Sequence, residues 1–294
     1  QNVLPQFHEV KIWDFEKVKA GLMLMAFGFF KKVVIADRLA LVADYSFNHV
    51  EQTNGLSMIM GVLFFTFQIY CDFSGYSDIA LGCAGVMGYK LMENFRTPYF
   101  SASISEFWRR WHISLSTWFR DYLYIPLGGN RVKLPRMYLN ILLVFMVSGL
   151  WHGANWTFVA WGFLHGLYLV LAQLRDKIFP KLTLPVAINV IITFILAAFA
   201  WIFFRADNIA EAFVVIKKIA AANLHDTWQS PLNHAELALC FILIIILLCK
   251  EKWLYEIPVK NNIVFYSLML LLVGIIYFFG IFSLLYIRGV ISLF

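Results

Sequence analysis

Charge is what this chain has least of. Only 14% of its 294 residues are Asp, Glu, Lys or Arg, against 61% hydrophobic. Soluble domains carry about a quarter charged and about half apolar residues, so a water-soluble globular fold is excluded and an integral membrane protein is expected. Cysteine is scarce too. Cys71, Cys83, Cys240 and Cys249 stand in apolar runs without CxxC or Cys/His spacing, which leaves buried free thiols and no zinc ribbon. No secretory signal pattern opens the chain. There is no GxSxG elbow, no GxGxxG, no GxxxxGK followed by Ser or Thr, no HExxH and no HxxxxD. These absences remove the serine-hydrolase, dinucleotide, P-loop and zincin chemistries, and no metal is expected. The net charge of +6 comes from basic residues at the ends of apolar runs, where they anchor spans. That placement argues against a nucleic-acid surface.

What is there is a series of long apolar runs. A helix needs about 20 residues to cross the hydrocarbon, so the length suffices for roughly seven spans. Residues 1–19 read as an extramembrane lead-in. The run from Ala20 to Ala36 is interrupted by Lys31-Lys32 and reads as a tilted or interfacial helix whose lysines reach the headgroups. The alternative is a span whose lysines face protein. Gly55 to Cys71 is the first span. Asp72, Gly75 and Asp78 inside its apolar continuation predict either a break buried against protein or a short surface loop. Ser103 and Glu106 at capping-box spacing open a helix running from Ile104 to Tyr122. Phe107, Trp111, Leu115, Trp118 and Tyr122 form its apolar stripe. Met137 to Leu174 is long enough for two legs, with a break allowed at Gly149, Gly153 and Asn155. Basic residues flank both ends of that pair (Arg131, Lys133 and Arg136; Arg175, Lys177 and Lys181), which puts both on the cytoplasmic side and the tip in the opposite leaflet. Pro185–Phe204, Ala235–Cys249 and Ile263–Ile287 complete the spans, the last two joined by a charged link from Lys250 to Asn262. Ile209–Ala220 is an amphipathic, interfacial helix.

Two features carry chemistry. Phe107 to Asp121 packs three arginines, one histidine, one aspartate, three tryptophans and two phenylalanines into fifteen residues. That mix suits a polar site held inside an apolar protein. His152 lies in the 38-residue stretch from Met137 to Leu174, which has no charged side chain. An ionisable group at membrane depth is a functional hypothesis by default, and His152 and His112 are expected to belong to one site. A neutral imidazole accepts a proton near neutral pH. His165 is read as structural packing. Arg109, Arg110, Arg120 and Arg131 could neutralise an anionic ligand such as the phosphates of a nucleotide thioester, or anchor the chain at headgroups.

Five segments resemble the membrane-bound O-acyltransferase family, and within it the bacterial branch of alginate O-acetylation membrane proteins. They are Tyr70-Cys-Asp-Phe-Ser-Gly-Tyr-Ser-Asp78, Asn94-Phe-Arg-Thr-Pro-Tyr-Phe100, Phe107-Trp-Arg-Arg-Trp-His-Ile-Ser-Leu-Ser116, Tyr124-Ile-Pro-Leu-Gly-Gly-Asn-Arg131 and Gly149-Leu-Trp-His-Gly-Ala154. The resemblance implies an all-α, multi-span bundle with re-entrant or interfacial helices around a buried histidine site. It implies one membrane-embedded domain over 1–294, with core motifs in 70–154. Family members are longer, and a chain opening on Gln1 rather than Met is expected to be the later part of such a protein.

By the same resemblance His152 matches the family's catalytic histidine and His112 its second active-site position. Trp151, Asn155, Arg109, Arg110, Arg120 and Asp121 are the accompanying candidates for substrate or oxyanion contacts. The implied reaction takes acetyl from a cytoplasmic thioester, expected to be acetyl-CoA acting as co-substrate with no tightly bound cofactor. The acceptor is a hydroxyl of an exported polysaccharide, reached directly or through a periplasmic acetyltransferase, and the setting is the bacterial inner membrane with its lipid. D-alanyl transfer to teichoic acid and acylation of lipid or protein are the alternatives within enzymes. A transporter or a non-catalytic scaffold of an exopolysaccharide complex are those outside them.

Overall fold

A computed structural model describes residues 3–12, 14–180, 184–223, 225–254 and 261–282. Lys181, the link residues 255–260 and the end of the last expected span, 283–287, lie outside the described residues. Within them the chain is helical and has no strand. The α-helices are α1 (Phe15–Phe29), α2 (Asp37–Asn48), α3 (Gly55–Val86), α4 (Ile104–Arg110), α5 (Ile113–Phe119), α6 (Leu134–His152), α7 (Trp156–Ile178), α8 (Val186–Arg205), α9 (Ile209–Ala220), α10 (His234–Trp253) and α11 (Asn262–Phe279).

Five of these, α3, α6, α7, α8 and α11, are long and apolar enough to cross a membrane. On α8 the side chains of Ile188, Ile191 and Ile195 are exposed, as are Leu270, Tyr277 and Phe278 on α11. Contiguous apolar surface of that kind is covered by lipid, and the helix satisfies its own backbone there. The protein is a multi-pass membrane protein. Helix α10 carries Lys250, Glu251 and Lys252 in its last turn and falls outside the five.

The chain divides into two compact units. The first comprises 1–44, 64–94 and 230–283. Here the headgroup reading of Lys31-Lys32 gives way to its alternative, lysines that face protein, and the expected break or loop at Asp72–Asp78 fails for the same reason. Lys31 does not reach headgroups. It is buried, its Nζ lies 2.6 Å from Asp78 Oδ2, and it donates to Ser74 Oγ at 2.9 Å. Lys32 bridges Asp72 at 2.6 Å and Asp37 at 2.8 Å. A π-helical segment, Phe30–Ala36, carries the lysines between α1 and α2 without ending the helix. The same pairs remove the reason for α3 to break or loop out at Asp72–Asp78, because each carboxylate is met by a cation in place. Close approach does the rest: a Cβ on Gly75 would sit 2.8 Å from the Gly28 carbonyl, and one on Gly28 2.6 Å from the Gly75 carbonyl.

Among the described residues the second unit comprises 45–63 and 95–229. Its centre is the hairpin of α6 and α7, packed along most of its length and backed by α8. Gly149 stays helical and serves the packing instead of the break. A Cβ there would collide with the Phe158 carbonyl, and one on Gly162 with the Phe145 carbonyl. Small residues at facing positions are what let two membrane helices touch backbone to backbone. The break falls at Gly153–Asn155, where the Asn155 side chain caps α7 by accepting from Thr157 N at 3.1 Å.

Candidate active site

The aromatic stretch between Ile104 and Tyr122 is not one helix. Ser103 starts it as expected, its Oγ accepting from Glu106 N at 3.1 Å, while Glu106 reaches back to Ala102 N at 2.7 Å. The helix stops after Arg110. His112 takes a left-handed backbone, φ +44°, and a second helix, α5, begins behind it. A positive φ is uncommon for a residue with a Cβ, and histidine is among those that adopt it more readily. The turn is held from both sides: Arg96 N donates to Arg110 O at 2.9 Å, and Ser116 Oγ donates to Trp111 O at 3.3 Å. The expected stripe therefore splits. Phe107 and Trp111 are buried, whereas Trp118 and Tyr122 beyond the break are exposed.

The break places His112 against the tip of the α6–α7 hairpin. The Trp151 ring lies 6.3 Å from the His112 ring and 5.0 Å from the His152 ring. Burial, and secondarily the neighbouring His152, push the His112 imidazole down to about 3, so it is neutral at physiological pH. His152 is half-buried. Its ring meets Trp161 edge-on at 5.2 Å and Phe204 at 5.3 Å, and its Nδ1 has no hydrogen-bond partner among the described residues.

The other candidates separate. Asn155 is committed to the fold at both ends of its amide, capping α7 and donating to Asp207 O at 2.8 Å. Arg110 pairs with Glu106 at 2.5 Å and Arg120 with Asp121 at 2.7 Å, so those two charges are met within the protein. Arg109 turns back on Ser105 Oγ at 3.2 Å. A cavity of about 310 Å³ opens beside Trp108, lined by Leu115, Ser116, Arg120, Phe145 and Ser148 among others.

His165 holds more than packing. It is fully buried, and its Nδ1 accepts from Trp108 Nε1 at 3.2 Å. Its ring stacks on Phe107 at 6.0 Å and meets Trp161 at 5.2 Å. Trp161 in turn stacks on Trp201 at 5.7 Å and 21°. The signal in the sequence was the Trp161–His165 pair one helical turn apart on an uncharged helix; its partners Trp108 and Trp201 come from distant segments.

These features define a multi-pass helical membrane protein with a two-histidine site at the tip of a helical hairpin. The sequence profile of the membrane-bound O-acyltransferase family matches residues 3–210, and the chain belongs to that family. The probable alginate O-acetylase AlgI of Azotobacter vinelandii is 44% identical over 239 residues, covering 81% of this chain and 46% of the relative. The peptidoglycan O-acetyltransferase of Helicobacter pylori is 42% identical over 226 residues, covering 76% of this chain and 43% of the relative. The teichoic acid D-alanyltransferase of Streptococcus thermophilus is 41% identical over 128 residues, covering 40% of this chain and 31% of the relative. The chain thus spans less than half the length of these relatives.

Proposed function

We propose that this chain supplies the catalytic core of a membrane O-acetyltransferase whose acceptor is a hydroxyl of an envelope polysaccharide. The observation that carries the reading is His152: a half-buried histidine at a hairpin tip, its Nδ1 unpartnered, in one aromatic cluster with a neutral His112. Acetyl rather than D-alanyl transfer is favoured because the acetylating relatives combine 42–44% identity with 76–81% of this chain, whereas the D-alanyltransferases reach 41% identity over 40% of it or 28% over 58%. The donor in this reading is acetyl-CoA on the cytoplasmic side. The basic residues flanking the hairpin support a topology with its ends on that side and the His152 tip toward the opposite leaflet of the bacterial inner membrane. Polysaccharide takes the acetyl directly or through a periplasmic acetyltransferase.

In the step itself, an acceptor hydroxyl gives its proton to the His152 imidazole as its oxygen bonds to the thioester carbonyl carbon. The C–S bond then breaks, and the departing thiolate takes the proton from the imidazolium. A positioned base contributes about 10² to 10⁴ in rate. The test expresses the protein at its full natural length in membranes and supplies acetyl-labelled acetyl-CoA. Label should reach polysaccharide or a periplasmic carrier, and His152→Ala, inserted and folded, should lose about 10² to 10⁴ of that rate. Transfer that survives the substitution removes His152 from the mechanism.

A further inference from the structure

Three N–H groups near His152 are donors without an acceptor. Trp161 Nε1, Trp201 Nε1 and His165 Nε2 are all buried and have no hydrogen-bond partner among the described residues. An indole nitrogen can only donate. The histidine resolves by elimination: its Nδ1 accepts from Trp108 Nε1 and so carries no proton, which makes the ring neutral with its proton on Nε2. In folded proteins nearly all buried polar groups are hydrogen-bonded, and each exception calls for an explanation. Three orphaned donors in contacting rings of one core call for a single one. The rings of Trp161 and His165 are 5.2 Å apart, those of Trp161 and Trp201 5.7 Å, and those of His165 and Trp201 6.3 Å.

We propose that the N–H groups of Trp161, Trp201 and His165 are the donor set for the carbonyl oxygen of the acyl group in transfer. The inference rests on the acyl-transfer reading above. The chemistry of the set selects that acceptor. All three donors are uncharged and sit in rings with apolar faces, so they suit an oxygen that arrives neutral and gains negative charge during the reaction. A phosphate or carboxylate is better matched by a cation, and the stretch that carries Trp161 and His165, Met137 to Leu174, has no charged side chain. Position agrees, since Trp161 touches His152 edge-on at 5.2 Å, next to the base that the step needs. Donors aimed at the developing oxyanion act in the transition state and cost no reorganisation when it forms.

The test removes the N–H while keeping the ring. Replacing the Trp161 or Trp201 indole by benzothiophene, through incorporation of 3-benzothienylalanine, preserves shape and stacking. Trp161→Phe and Trp201→Phe serve as encoded counterparts. In the full-length protein in membranes, each benzothiophene variant should lower kcat by on the order of 10²-fold with KM nearly unchanged. A second readout needs no turnover. With His152→Ala in place, the carbonyl band of ¹³C-carbonyl acetyl-CoA should shift to lower frequency on binding, and that shift should shrink in each variant. Unchanged kcat and an unchanged band would assign the N–H groups to neighbouring ring faces and overturn the proposal. Absence of acetyl transfer by the unsubstituted protein would instead overturn the acyl-transfer reading, and this inference with it.

Discussion

The two units solve the same problem in opposite ways. In the first, Lys31 and Lys32 enter an apolar interior as full charges and are met by opposite charges: Lys31 by Asp78, and Lys32 by Asp37 and Asp72. The buried Glu251 carboxylate is met by a neutral donor instead, the Tyr70 hydroxyl. In the second, the polar groups around the hairpin tip are imidazoles and indoles, and four of their ring nitrogens have no partner among the described residues. A satisfied ion-pair network rigidifies what surrounds it. Unmet donors and a free basic nitrogen instead leave the energy of hydrogen bonding to be gained by whatever binds. The difference separates framework from reactive surface more sharply than burial does, since both sets are buried.

The largest effect is expected where the first arrangement is broken from one side. Asp78→Asn strands a buried ammonium and should lower stability by about 3 to 5 kcal/mol, read as thermal unfolding in detergent. The double substitution Lys31→Met with Asp78→Leu should recover most of the loss. If the single variant melts like the parent, the pair contributes nothing. The second arrangement depends on close backbones. Gly149→Ala forces a methyl into the Phe158 carbonyl and should cost about 1 to 3 kcal/mol. The same change at Gly85, where an added Cβ meets nothing within 4 Å, should leave the melting temperature within a degree or two and serves as the control.

The smallest effect concerns the neutrality of the second site. His112 is held down to about 3 when folded, whereas an unfolded imidazole titrates near about 6.5. Below that pH the unfolded chain binds the extra proton, so stability from this residue is present above pH 6.5 and declines as pH falls. The slope is at most about 1.4 kcal/mol per pH unit. His112→Asn keeps a residue that tolerates the left-handed backbone and removes the titration. Melting temperatures of parent and variant should therefore converge between pH 7 and 5. Parallel curves would show that His112 protonates freely in the folded protein.

The α6–α7 hairpin could be read directly from the residues because its signals are local: an uncharged stretch of 38 residues, glycines near its middle, and basic residues outside both ends. The histidine at its tip was conspicuous for the same reason. The continuity of α3 was not legible, since Asp72 and Asp78 look like helix-breaking charges until Lys32 and Lys31 are seen to meet them from another helix. The break at His112 was hidden by the opposite problem. Its neighbours keep a helical apolar period on both sides, and nothing in that period marks one residue with a reversed backbone. The donor role of His165 depends on Trp108, 57 positions away, whose indole decides which ring nitrogen carries the proton.

The stacked Trp161 and Trp201 rings, 5.7 Å apart, have one more consequence. Two indoles held that close share their electronic transitions. The pair is therefore expected to show coupled, opposite-signed bands in the far-ultraviolet circular dichroism spectrum, where the strong indole transition lies. A rotation of either ring would change that pair without any attached label, and the difference between the protein and its Trp201→Phe variant would isolate the pair from the other eight tryptophans.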